Sequence, residues 1–161
     1  MVRPCFQIDL PSPRKTAELA AMIGGLLRPG DVLLLEGEIG AGKTHFARSL
    51  IQSQMDTPED VPSPTFTLVQ TYDTGTGEIW HSDLYRLTDV SEVMELGLDE
   101  AMERAICLIE WPDRLGPDTP DTALHLRFDT LSDSARRITL SWAQGDWDDR
   151  LASLKTERAH G

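Results

Sequence analysis

Residues Gly37-Glu38-Ile39-Gly40-Ala41-Gly42-Lys43-Thr44 fit the pattern G-x-x-x-x-G-K-[ST], and their surroundings restrict what the chain can become. Before them, Asp31 to Glu36 sets four apolar residues between charges, the signature of a fully buried strand and most often a parallel one. After them, Lys43 to Met55 carries Phe46, Leu50 and Ile51 at helical spacing. Strand, glycine-rich turn and helix in that order make a P-loop. Its glycines let backbone N–H groups turn inward around phosphate oxygens, and the helix start adds the positive end of its dipole. The pattern therefore predicts that Gly37, Glu38, Ile39, Gly40, Ala41 and Gly42 cradle the phosphates of a nucleotide. Lys43 is expected to reach the β- and γ-phosphates, and Thr44 to give its hydroxyl to Mg²⁺.

The rest of the chain builds a mixed sheet around that unit. Cys5 to Leu10 reads as a strand, and Ser12 offers an N-cap hydroxyl before Pro13 at the first helical position. Leu19, Ala20, Ile23, Leu26 and Leu27 share one helical face, and Pro29-Gly30 is expected to end that helix. Thr74-Gly75-Thr76-Gly77 separates the β-prone runs Phe66 to Tyr72 and Glu78 to Tyr85, which reads as an antiparallel hairpin. Val90 to Leu98 reads as a short helix, and Ala105 to Ile109 as a buried strand ending at Glu110-Trp111. Leu124 to Phe128 and Arg137 to Trp142 read as two further strands, and Trp147 to Arg158 as a closing helix. The expected fold class is α/β: a single P-loop NTPase-like domain, with a mixed parallel and antiparallel sheet flanked by helices. It is placed at residues 1–145, with 146–161 as a C-terminal helix or loosely ordered tail.

Charge and composition narrow the function. Fifteen Lys+Arg against 27 Asp+Glu leave a net charge of −12, which gives no long-range attraction for a phosphate backbone, so capture of DNA or RNA over the whole surface is disfavoured. The longest apolar runs, Leu19 to Ile23 and Ala105 to Ile109, are far below the roughly 18 residues of a membrane span. With no apolar leader in Met1 to Lys15, a cytoplasmic location is expected. Cys5 and Cys107 fit two reduced thiols, and the four histidines lack the spacing of a zinc site.

A phosphate cradle hydrolyses nothing without an acidic partner for the metal and a positioned water. Glu110, delivered at the carboxyl end of an apolar strand, is the first Mg²⁺ candidate; a strand-end charge facing solvent is the other, less favoured reading. In His81-Ser82-Asp83-Leu84-Tyr85-Arg86, a strand would put His81, Asp83 and Tyr85 on one face. Asp83 then either orients water or metal, or forms part of a solvated face with Arg86. Ser63-Pro64-Thr65-Phe66 is a turn after the P-loop helix, where several nucleotide hydrolases keep a threonine that senses the γ-phosphate; read alone, its residue types favour a plain turn leading into a strand. No cation other than Arg86 suggests itself beside Lys43.

The strings GEIGAGKT, SPTFTLVQTY, HSDLYRL and LIEW, in that order over about residues 12 to 115, resemble the TsaE (YjeE) family of bacterial ATPases. That resemblance implies an ATP-binding and Mg²⁺-dependent protein, which helps make the threonylcarbamoyl adenosine modification of tRNA with partner proteins that carry the transfer chemistry. It makes Lys43 and its loop the triphosphate cradle and Thr44 and Glu110 the Mg²⁺ ligands. It makes Thr65 a switch-like residue and Asp83 a functional carboxylate, catalytic or at the metal. Trp111 falls near the nucleotide or a partner surface, and Ser12 and Thr16 fall on the adenine side. His45 follows Thr44 at a cofactor-binding position where the family often has a second Thr, and Glu38 stands where Asp or Asn is frequent. Two other classes remain: a small-molecule P-loop kinase, for which no basic lid is visible between Thr65 and Arg86, and a non-hydrolysing ATP-binding scaffold. The acidic charge favours protein partners holding the tRNA, with this chain docking on them.

Overall fold

Seven strands form one sheet in the order β1-β7-β6-β2-β5-β4-β3, with β1 at Cys5–Leu10, β2 at Val32–Gly37, β3 at Val69–Thr74, β4 at Gly77–Asp83, β5 at Ile106–Glu110, β6 at Leu124–Thr130 and β7 at Arg136–Ser141. The computed structural model describes residues 5–57, 61, 69–85, 89, 91–92, 97–152 and 154. The four central strands, β6, β2, β5 and β4, run parallel, whereas β1, β7 and β3 join antiparallel at the two sides. The expected mixed sheet is therefore present. Its parallel centre follows from near-continuous apolar runs: every residue of β5 and the first four of β2 are buried.

Helices cover both faces. Helix α1 (Pro13–Gly24) starts where predicted: the Ser12 hydroxyl accepts from the Lys15 amide at 3.3 Å, and Pro13 occupies the first turn. It ends earlier than the apolar spacing suggested, at Gly24 rather than before Pro29-Gly30. Consecutive Gly24 and Gly25 hold the helix too weakly to carry it through Leu26 and Leu27. Leu19, Ala20 and Ile23 of α1 pack with Phe46, Ala47, Leu50 and Ile51 of α2 (Lys43–Gln54) over Leu33, Leu35, Leu108 and Leu126 of the sheet. Each fully buried side chain of this kind stabilises by about 1.5–3 kcal/mol.

On the opposite face α3 (Leu98–Arg104) sets Leu98, Ala101 and Met102 against Val32, Leu34, Cys107 and Ile109. The apolar spacing of the sequence does not mark α3. Of the helix expected at Val90 to Leu98, only Ser91, Glu92 and the stretch from Gly97 fall among the described residues. Burial inside β5 pushes the Cys107 thiol up to about 12, so it is an inert packing group.

Beyond Gly145, α4 (Trp147–Arg150) is a single turn, and Trp147, Leu151 and Leu154 enter the same core as α1 and α2. Arg150 stacks on Trp147 at 4.2 Å and pairs with Asp31 ahead of β2, and Arg28 pairs with Asp146 at 2.7 Å. No helix among the described residues is long and apolar enough to cross a membrane.

Candidate functional site

The parallel centre of the sheet delivers its functional groups at one end. The P-loop leaves β2, Glu110 ends β5, and Asp83 ends β4 directly opposite Glu110 in the strand register. This is the carboxyl edge, where open α/β sheets hold their ligands. Two glycines make the turn possible. At Gly37 (φ 148°) a Cβ would come within 2.8 Å of the Phe128 carbonyl oxygen, and Gly42 (φ 101°) adopts a left-handed conformation immediately before α2. A cavity of about 570 Å³ opens beside the loop, lined among others by Gly37, Glu38, Ala41, Trp111, Asp113 and Phe128.

Lys43 is buried, and its ammonium donates to the carbonyls of Gly37 and, at 3.3 Å, Glu38. Burial pushes its pKa down, and the nearby carboxylates of Glu110, Asp83 and Asp113 pull it back up. The Trp111 ring lies over it, with 3.8 Å between Nζ and the ring centre, and Tyr85 packs on that ring at 4.8 Å. Trp111 is the one non-glycine residue at positive φ among those described (φ 57°, ψ 55°). A bulky residue held there stores strain of about 1–3 kcal/mol, of the kind that gathers at functional sites.

The Thr44 hydroxyl meets both carboxylate oxygens of Glu110, at 2.9 and 3.1 Å. Glu110 is buried, and its Oε2 lies 2.7 Å from Nε2 of fully buried His81. The solvent-facing reading of Glu110 is thereby removed. Asp83 Oδ1 accepts from the Tyr85 amide at 3.0 Å, and burial raises its pKa despite that bond. Among the described residues no three His, Cys, Asp or Glu side chains form a metal cage. A hydroxyl beside one buried carboxylate, with a second carboxylate on the next strand, instead suits a hard cation that keeps water and takes phosphate oxygens, as Mg²⁺ does. Thr44 and Glu110 would hold it, with Asp83 at its edge.

The adenine-side expectations have a local explanation in the structure. Ser12 caps α1, and the Thr16 hydroxyl donates to the Ser12 carbonyl at 3.4 Å. His45 Nε2 lies 2.9 Å from the Pro13 carbonyl, which ties the start of α1 to the start of α2 and keeps Ser12 and Thr16 next to the P-loop helix. The side chains of Glu38 and Ile39 are exposed. Thr65 and Arg86 lie outside the described residues.

Two groups complete the site beyond those assigned from the sequence. Strand alternation puts His81 on a common face with Asp83, a face that also carries Glu110 on the neighbouring strand, yet the motif gives it no role. The sequence does not single out Arg136: its guanidinium contacts the carbonyls of Gly40 and Ala41, so it braces the loop rather than standing as a second free cation beside Lys43. No spacing rule connects residues 95 positions apart, so the sequence carried no signal for it.

This geometry agrees with what the chain resembles. It matches the family model described as "Threonylcarbamoyl adenosine biosynthesis protein TsaE" over residues 10–138. It is 36% identical to the Bacillus subtilis tRNA threonylcarbamoyladenosine biosynthesis protein TsaE over 81% of each chain. Its identity to the Rickettsia bellii protein of the same name is 37%, over 84% of this chain and 94% of that one. The crystal structure of YdiB from B. subtilis superposes with a TM-score of 0.82 at 26% identity, covering 98% of this chain and 99% of the other. By sequence and by fold, the chain belongs to the TsaE family of threonylcarbamoyl adenosine biosynthesis proteins.

Proposed function

We propose that the chain is a Mg²⁺-dependent ATP-binding and hydrolysing protein that supports formation of threonylcarbamoyl adenosine in tRNA, through nucleotide-dependent interaction with the proteins that carry the transfer chemistry. The observation that carries this reading is the contact between Thr44 and Glu110: the first turn of the P-loop helix presents a hydroxyl 2.9 Å from a buried strand-end carboxylate, beside Lys43. A scaffold that only bound Mg·ATP would need Thr44 and Glu110 but not a second carboxylate, and Asp83 stands opposite Glu110 at the end of β4.

Bound Mg²⁺ would neutralise charge on the β- and γ-phosphates and fix their geometry. The chain supplies the remainder. The amides of Gly42, Lys43 and Thr44 hold phosphate oxygens, Lys43 exchanges the Gly37 and Glu38 carbonyls for phosphate, and Glu110 keeps the Thr44 hydroxyl in place. Asp83 stands at the end of β4 to orient a water for attack. With Arg136 engaged by backbone carbonyls, the charge developing at the γ-phosphate meets Lys43 and little else from the described residues. ATP turnover by the isolated chain is therefore slow, and partner proteins accelerate it by supplying a cation or ordering the site. To test this, ATP turnover is measured alone, with tRNA alone, and with the threonylcarbamoyl-transfer proteins. Stimulation by the proteins is expected; stimulation by bare tRNA and none by the proteins defeats the reading.

A further inference from the structure

Arg136 opens β7, and its side chain spans two loops. Nε donates to the Ala41 carbonyl at 3.1 Å and Nη2 to the Gly40 carbonyl at 3.4 Å, both in the P-loop. Nη1 is held by carbonyls of the turn joining β6 to β7: Ser132 at 2.8 Å, Ala135 at 2.9 Å and Asp133 at 3.4 Å. That turn is closed on itself, since the amides of Leu131 and Ser132 donate to the Ala135 carbonyl at 3.0 and 3.3 Å, and the Ala135 amide donates to the Ser132 hydroxyl at 3.1 Å. A planar guanidinium anchored in a closed turn presents its other edge to the P-loop in one orientation.

The consequence lies on the opposite face of the loop. In a trans peptide the carbonyl and the following N–H point to opposite sides, and no peptide bond among the described residues is cis. When the Ala41 carbonyl turns outward to Arg136, the Gly42 N–H turns inward, toward the end of α2 where the Lys43 and Thr44 amides are free of intrahelical partners. Gly40 and Gly42 both sit at positive φ, and without an anchor such a glycine-rich segment has many peptide orientations of similar energy. We propose that Arg136 is a positioning residue for phosphate binding: its fork holds the Gly40 and Ala41 carbonyls outward, which fixes the Gly40–Ala41 peptide, whose amide donates to the Glu38 carbonyl at 3.1 Å, and presets the Gly42 amide for the anion. This rests on the phosphate-cradle reading of Gly37 to Thr44.

The test is calorimetric titration of Mg·ATP and Mg·ADP into the full chain, its Arg136→Gln and Arg136→Lys variants, and Lys43→Ala, with thermal unfolding measured without nucleotide. Both Arg136 variants are expected to fold and to bind each nucleotide about tenfold more weakly. Lysine fails to restore binding because one ammonium cannot span the two P-loop carbonyls and the turn together. Parent-like affinity in either Arg136 variant overturns the proposal while leaving the cradle standing. A parent that binds neither nucleotide, or a Lys43→Ala protein that binds as the parent does, overturns the cradle reading itself. If the Arg136 variants do not fold, the decision passes to the parent chain by ¹⁵N NMR. The Arg136 Nε–H is expected to exchange slowly with solvent both free and with ADP bound, and fast exchange in the ADP complex overturns the proposal.

Discussion

The Lys43 ammonium lies 3.8 Å from the centre of the Trp111 ring while donating to the Gly37 and Glu38 carbonyls of its own loop. The cation is thus satisfied without an anion, and on the proposed reading phosphate replaces both carbonyls. The indole above it should report that exchange. Titration with Mg·ATP is expected to change tryptophan emission in the parent and not in Trp111→Phe, since the other three tryptophans lie outside this contact. An unchanged response in Trp111→Phe would place the nucleotide elsewhere.

Removing Lys43 itself separates binding from folding. Lys43→Ala takes away the ammonium that stands inside the proposed phosphate cradle, so Mg·ATP binding should be lost, while the core of α1, α2 and the sheet still forms. Circular dichroism would report the fold and calorimetry the binding; tight Mg·ATP binding by the folded variant contradicts the assignment.

Glu110 holds the Thr44 hydroxyl through both oxygens. Glu110→Gln keeps the shape and removes the charge, which should raise the Mg²⁺ concentration needed for half-maximal nucleotide binding by roughly tenfold or more and lower ATP turnover with it. Parent-like dependence on Mg²⁺ would remove Glu110 from the metal site.

Asp83 makes a pH prediction whose sign is fixed by its surroundings. Burial is the largest influence, and it raises the pKa above the ordinary 3.8, so the folded chain holds this proton more tightly than the unfolded one. The resulting stability is fully present below about 3.8 and is lost as pH rises through the raised folded value. Relative to Asp83→Asn, the parent should therefore lose stability as pH climbs from 4 toward 7, and at pH 7 the variant should melt at or above the parent temperature while turning ATP over more slowly. Melting curves of both proteins across that range decide it.

Trp147 is fully buried, donates from its indole to the Thr122 carbonyl at 2.7 Å, and stacks under Arg150. Trp147→Ala should cost about 3–5 kcal/mol of folding stability, the usual range for emptying a buried aromatic site. Urea unfolding would measure it; a loss below about 1 kcal/mol would mean that the segment beyond Gly145 contributes little.

Local pattern was enough for the parts of this protein that are local. The eight residues from Gly37 to Thr44, the strand before them and the helix after them follow from backbone freedom, apolar runs and helical spacing, all written within a few residues of one another. The strand-end position of Glu110 and the alternation that puts His81 and Asp83 on one face were legible for the same reason. Strand order was not, because pairing joins segments far apart in the chain. Only the parallel register of β4 against β5 sets Asp83 opposite Glu110, and only their common edge with β2 brings Thr44 onto the Glu110 carboxylate. Arg136 is the extreme case: nothing in its neighbourhood marks it, and it reaches Ala41 because β7 lies beside β6, whose partner β2 ends in the P-loop. The sequence by itself determined which groups could bind phosphate, since that chemistry resides in residue type and short spacing. The tertiary structure decided which carboxylate, histidine and arginine would attend them, because those contacts are created by the packing of distant strands into one sheet.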